Sequence, residues 1–177
     1  HFHIPLQSGS DRILKLMKRK YNVRFYSNKI NKIKSIIPNA SIGVDVIVGF
    51  PTETDDEFNE TYNLLSDLEV SYLHVFTYSE RENTIAINLK PKVAQEVRNT
   101  RSKKLRALSE YLKSQFIIKN MNTNHTILVE GVHDNVLHGY TENYIKFHVN
   151  SNRMKINDLV NVKPLDSSYG TITGKTV

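Results

Sequence analysis

Three short stretches of this sequence hold side chains whose types could do chemistry together: Gln7-Ser8-Gly9-Ser10, Gly49-Phe50-Pro51-Thr52-Glu53 and Tyr78-Ser79-Glu80-Arg81. Between them they supply amides, hydroxyls, a phenol, a carboxylate and a guanidinium. Such a set suits a polar cofactor carrying an aromatic base. Each member also has a plainer use. Gly9 and Gly49 meet ordinary turn geometry, Glu53 suits the positive end of a helix, and Arg81 can pair with Glu80 or Glu82. No Ser/His/Asp nucleophile arrangement stands out, and no metal-ligand spacing is present. His125, His133, His138 and His148 are scattered and read as surface or packing residues.

Each stretch follows a predicted strand. Ser41 to Val48 is a β-branched run broken only by Gly43. It reads as a parallel strand with little exposed polar surface, covered on both faces. It stops at Gly49-Phe50-Pro51, and Thr54 with Glu57 three residues later forms a capping box that starts a helix over 55–68. Phe58, Tyr62, Leu65 and Leu68 give that helix its buried face. In α/β folds such a turn lies at the carboxyl end of the strands, where ligands bind. His1 to Leu6 reads as a strand already under way, so the chain is expected to be a C-terminal piece of something longer.

Ser10 is placed to cap a helix from Asp11 to about Arg19, with Ile13, Leu14 and Met17 as its stripe. A second helix is expected from Arg24 to Ile37, burying Tyr26, Ile30, Ile33 and Ile37. Residues 72–78 read as a strand and 79–90 as a loop. Pro91 suits the start of a helix from about Val93 to Asn120. Val97, Leu105, Leu108, Leu112 and Phe116 form its apolar stripe, against a basic side of Arg98, Arg101, Lys103, Lys104 and Arg106. Strand, helices, strand, helix, strand is an α/β order with parallel strands.

The pattern changes after residue 121. Short strands are expected at 125–130, 137–141, 144–149, 159–164 and 169–173. Turns separate them at 133–135, 150–152 and 166–168. Five short strands in so few residues point to a small five-stranded, OB-like β-barrel. The expected domains are therefore 1–120 and 121–177. Tyr140, Tyr144, Lys146, Phe147, Arg153 and Lys155 mix aromatics with basics, the make-up of a single-stranded RNA surface, although some of these aromatics must be core.

Charge is blocked along the chain. Residues 1–40 carry nine Lys/Arg against one acid, 41–90 two against ten, 91–120 eight against two, and 121–177 five against five. Basic faces attract polyanions such as RNA, and Lys-rich helices also simply stay solvated. The 177 residues contain no cysteine, which excludes disulfides, thiolate metal sites and an iron–sulfur cluster held by this chain itself. No run of 18 apolar residues exists, so no transmembrane helix is expected.

These motifs resemble a known family. His3-Ile4-Pro5-Leu6-Gln7-Ser8-Gly9-Ser10-Asp11, then Leu14-Lys15-Leu16-Met17-Lys18-Arg19, resembles the "LPLQSGSD…LK.M.R.Y" segment of radical S-adenosylmethionine methylthiotransferases. Asp45 to Thr54 with Glu57-Phe58 resembles their "TDIIVGFPGET…F", and His74 to Arg81 their "VF.YS.R.GT.A". The tail is similar to the RNA-binding TRAM domain. Three positions depart from the pattern: Thr52 and Asn83 stand where Gly is usual, and Ile85 where Pro is usual. For Thr52 a turn tolerant of a side chain is expected.

The resemblance implies the C-terminal part of a radical-SAM, partial TIM-type βα barrel followed by a TRAM barrel. It implies S-adenosylmethionine as cofactor and two 4Fe-4S clusters ligated by residues absent from this chain. In the family, reductive cleavage yields a 5′-deoxyadenosyl radical that removes hydrogen from the substrate carbon, and sulfur is inserted and methylated. It implies Gln7, Ser8, Ile47, Val48 and Gly49 as cofactor-binding residues. Tyr78 and Arg81 become substrate-loop residues, and Arg98, Arg101, Lys104, Tyr144, Lys146, Arg153 and Lys155 RNA-binding ones. It further implies tRNA as partner, an electron donor of flavodoxin or ferredoxin type, no membrane and a cytoplasmic location. The form of residues 74–81 resembles the branch acting on N6-threonylcarbamoyladenosine at position 37 of tRNA. Sister branches act on isopentenyladenosine in tRNA and on a ribosomal-protein aspartate. A non-catalytic RNA-binding protein is the reading from a different class. The piece alone is expected to be inactive.

Overall fold

The computed structural model describes residues 1–150, 155–168 and 170–177. The chain divides into two compact units, residues 2–112 and residues 113–177 with His1. The division falls inside the last helix, before the boundary expected at 121.

The first unit runs β1 (Phe2–His3), α1 (Asp11–Leu16), α2 (Val23–Ile36), β2 (Ile42–Val48), α3 (Asp55–Asp67), β3 (Tyr72–Thr77), a short 3-10 helix (Ile85–Asn88) and α4 (Gln95–Asn120). The strands form a parallel sheet in the order β1-β2-β3. Ile42, Val44, Val46 and Val48 project from one face of β2 and are fully buried with Tyr26, Ile30, Phe58, Leu65 and Leu105. Each such aliphatic side chain contributes roughly 1.5–3 kcal/mol by leaving water. The other face carries Asp45 and Ile47 half-buried beside Tyr72, His74 and Phe76. Cover on both faces, as expected from the run of β-branched residues, is therefore found on one face only.

Two helix expectations need correction. Helix α1 ends at Leu16, because Lys18 turns into the left-handed region at φ 59°. Ser10 precedes α1 but makes no side-chain cap, and its hydroxyl donates instead to Glu57 Oε1 at 3.3 Å. In α2, Tyr26 and Ile30 are buried while Ile37 is exposed past the helix end.

In the second unit β4 (His125–His133), β5 (Val136–Thr141), β6 (Lys146–Asn150), β7 (Leu159–Ser168) and β8 (Thr171–Thr176) close a barrel in the order β4-β5-β6-β8-β7. All neighbours are antiparallel except β6 and β8. Ile127, Val129, Leu137, Phe147, Val149, Val162 and Ile172 fill it, with Ile117 of α4. Asp134 and Asn135, at φ 49° and 62°, make the two-residue turn between β4 and β5, where that conformation suits Asn and Asp. Four of the five strands are longer than their sequence pattern, while β6 begins at Lys146 and not at the expected 144, because Tyr144 turns into the left-handed region at φ 67°. Residues 166–168, expected as a turn, belong to β7, and the ladder shifts register between Pro164 and Asp166 where Pro cannot donate. Arg153, Tyr169 and the centre of the expected 150–152 turn lie outside the described residues.

Candidate functional site

The carboxyl ends of β2 and β3 open into a cavity of about 630 Å³. Ile47 of β2 and Phe50 of the turn after it line it, with Phe76 to Ser79 and Arg81 from β3 and its loop, Thr84 to Ala86 from the start of the 3-10 helix, and Leu16 to Arg19 from the end of α1. The wall is apolar and aromatic, with Lys18, Arg19 and Arg81 as its cations. A cavity of this size suits a nucleoside-sized ligand.

The turn after β2 is held from two sides. Gly49 sits at φ 74°, and a Cβ there would lie 2.3 Å from Cγ of Arg98, so backbone and space both require glycine. Its N–H donates to Glu53 Oε2 at 2.7 Å. Arg101 of α4 donates to the same oxygen at 2.6 Å and to Asp55 at 2.8 Å. Burial pushes the Glu53 carboxyl up, and the Gly49 N–H and Arg101 oppose that.

On the other side Glu57 forms the expected capping box with Thr54. Arg12 of α1 grips it with two bonds, Nε to Oε1 at 2.6 Å and a second nitrogen to Oε2 at 2.8 Å. This fork, with the Thr54 bonds, holds the Glu57 carboxyl down at about 2 against the penalty of burial. Arg12 also donates to the Thr52 carbonyl and hydroxyl.

The loop after β1 is fitted as closely. Gln7 turns at φ 72°, its N–H donating to Asp45 O and its carbonyl accepting from Ile47 N–H. Gly9 lies against α3, where a Cβ would meet Thr61 Cα at 2.5 Å.

Arg98 joins α4 to the end of β3. It donates to the carbonyls of Val93 and Tyr78, at 2.8 and 3.1 Å, and to Glu80 at 3.3 Å. Its guanidinium lies 5.4 Å from the centre of the Tyr78 ring, and the Tyr78 and Phe50 rings meet edge to face with their centres 5.3 Å apart. The Tyr78 hydroxyl is buried and has no partner among the described residues.

Of the residues singled out for a cofactor, Ile47 lines the cavity, as do Tyr78 and Arg81 of the substrate loop. Gln7, Ser8, Val48 and Gly49 are buried and do not line it. Phe50, next to Gly49 in the sequence, lines it instead. Arg98 and Arg101 do not belong to a solvent-facing basic side. They are 7% and 5% exposed and committed to the contacts above. Lys104 is exposed, 6.0 Å from the Phe58 ring.

In the barrel, Tyr140 and Lys146 are directly paired on β5 and β6, and Tyr144 leans on Tyr140 at 5.1 Å with 61% exposure. Lys155 is exposed, and Phe147 is core. His138 and His148 face each other on the same outer side as Tyr140 and Lys146. Burial, then His138 and Lys146, push the His148 imidazole down.

Two positions where the family pattern has Gly occupy glycine-like backbone. Asn83 is at φ 63°, which Asn adopts more readily than other side chains. Thr52 is at φ 73°, so the turn is not one tolerant of a β-branched residue, and the bonds from Arg12 offset its strain.

Residues 1–65 match the Radical SAM superfamily. The whole chain is 39% identical to the threonylcarbamoyladenosine tRNA methylthiotransferase MtaB of Bacillus subtilis, covering 40% of that protein. It is 44% identical over 82% of its length to the MtaB of Aquifex aeolicus, covering 34% of it. The chain belongs to the radical S-adenosylmethionine methylthiotransferase family. It is also 38% identical, over its whole length, to a tRNA-2-methylthio-N(6)-dimethylallyladenosine synthase of Geobacillus kaustophilus, covering 34% of that protein. The chain thus spans little more than a third of the length of the curated relatives it matches.

A radical-SAM cluster needs thiolates, and this family member has no cysteine, so no residue here fits that group. The cavity does fit an adenosyl group, with Ile47, Phe50 and Tyr78 as apolar and aromatic walls.

Proposed function

We propose that this chain is the part of a tRNA methylthiotransferase that walls the S-adenosylmethionine pocket and grips tRNA. The enzyme would add a methylthio group to C2 of N6-threonylcarbamoyladenosine at position 37. The observation that carries this reading is the strand-end cavity bounded by Ile47, Tyr78 and Arg81 in a chain 39–44% identical to proteins of that name.

In this reading Ile47 and Phe50 hold the adenosyl part, and S-adenosylmethionine supplies the radical precursor and the methyl group. Gln7, Ser8, Val48 and Gly49 shape the backbone behind that wall. Arg81 faces the substrate side. The barrel is a TRAM-type module, and Tyr140, Tyr144 and Lys146 form its RNA face. Two 4Fe-4S clusters, their ligands and the electron donor belong to the longer enzyme, which is cytoplasmic. The 177-residue chain by itself is inactive in methylthiolation.

A second reading has one observation in its favour. Dimethylallyladenosine synthases match at 38% over the whole chain, so the isopentenyl nucleoside is the alternative substrate.

Nucleoside mass spectrometry of total tRNA, from source cells with and without the full-length gene, tests both. Loss of 2-methylthio-N6-threonylcarbamoyladenosine with accumulation of its unmethylthiolated precursor is expected. Loss of the isopentenyl product instead moves the substrate. No change in any tRNA nucleoside removes the tRNA assignment.

A further inference from the structure

The sheet face turned away from the buried helices carries three side chains that the cavity does not use. His3 on β1, Asp45 on β2 and His74 on β3 stand on three neighbouring parallel strands. Asp45 is paired directly with His74, and His3 is paired with Gly43, two residues before Asp45 on the same face. One carboxylate oxygen, Asp45 Oδ1, lies 2.6 Å from His3 Nε2 and 3.2 Å from His74 Nδ1. Ligand-capable atoms of all three residues lie within 4.8 Å of one another. The Tyr72 ring supports the arrangement: it lies across Gly43 and sits 5.1 Å from the His74 ring.

The geometry points to a binding site for one divalent first-row transition ion of the zinc type, held by His3, Asp45 and His74. Two imidazole nitrogens and one carboxylate oxygen are the donor set of open zinc and ferrous sites. With bonds of about 2.0–2.1 Å, a tetrahedral ion needs its ligand atoms about 3.3 Å apart. The 3.2 Å spacing already meets this. The 2.6 Å one must open by roughly 0.7 Å, which a side-chain rotation of His3, 42% exposed, supplies. The strands beneath are held in place, because Val44, Val46, Leu73 and Val75 on their other face are buried. The inference does not depend on the proposed function.

Titration of cobalt(II) into the purified 177-residue chain tests it. One equivalent is expected to bind with visible ligand-field absorption and to be displaced by zinc. His74→Ala and, separately, Asp45→Asn are expected to weaken binding by more than about 100-fold, since even the partners behind a ligand are worth 10- to 100-fold. Zinc is expected to raise the unfolding temperature of the parent chain and of neither variant. His3→Ala supplies the same comparison if either variant folds poorly by circular dichroism. No cobalt absorption overturns the inference and leaves a hydrogen-bonded cluster only. So does full binding in His74→Ala, which would assign the ion to His1 and His3 at the amino terminus.

Discussion

Arg101 and Glu53 meet at 2.6 Å with side chains only 6% and 2% exposed, on the carboxylate oxygen that also accepts the Gly49 N–H. The ion pair thereby sets the backbone of the turn beside the cavity. Arg101→Met is expected to destabilise the chain by about 3–5 kcal/mol, because it strands a buried carboxylate. Adding Glu53→Gln should recover part of that loss. Urea unfolding of the two single variants and the double variant checks this, and additive losses would mean the pair is not coupled.

Glu57 ties stability to pH. Its carboxyl is held at about 2, chiefly by the Arg12 fork, below the ordinary value of 4.5. A depressed carboxyl contributes stability that is present above the ordinary value and is lost as pH falls toward the folded one. Between pH 7 and pH 2 this should amount to about 2 kcal/mol, less than full linkage gives because Arg12 is half-exposed and screened. Glu57→Gln should flatten that part of the acid-unfolding curve.

Gly49→Ala should cost about 2–4 kcal/mol, because it combines a left-handed backbone with a clash against the buried stem of Arg98. A variant that unfolds at the parent's urea midpoint would contradict this account of the turn.

Tyr78→Phe separates stability from function. Its buried hydroxyl has no partner among the described residues. Removing it should leave stability unchanged or raise it by up to about 1 kcal/mol. In the full-length enzyme, methylthiolated tRNA should fall if the phenol meets the substrate. Thermal unfolding and tRNA nucleoside analysis read the two effects apart.

On the barrel, Tyr144→Ala should weaken tRNA binding by about 1–3 kcal/mol through lost stacking. Lys146→Ala should reduce the salt dependence by about one phosphate contact. Filter binding at several salt concentrations measures both. Unchanged affinity in the two variants would remove this face from the RNA surface.

What the sequence determined by itself is mostly local. The capping box of Thr54 and Glu57 spans three residues. The strand 42–48 shows in its β-branched run, and five short strands show between turn residues. Such signals need only neighbours in the chain. The motifs around Gln7, Gly49 and Tyr78 likewise pointed to the family.

Tertiary structure alone decided what the charged side chains do. Arg101 reads as a solvated helix residue, yet it is buried because Glu53 and Asp55, 48 and 46 residues away, come to lie beside it. Arg98 is likewise drawn in by Tyr78 and Glu80. His3 and His74 stand 42 and 29 residues from Asp45, so no ligand spacing exists in the chain until parallel pairing creates it. Helix and strand periods decide which face a residue occupies. Only the packing of distant elements decides whether water or a countercharge meets it there.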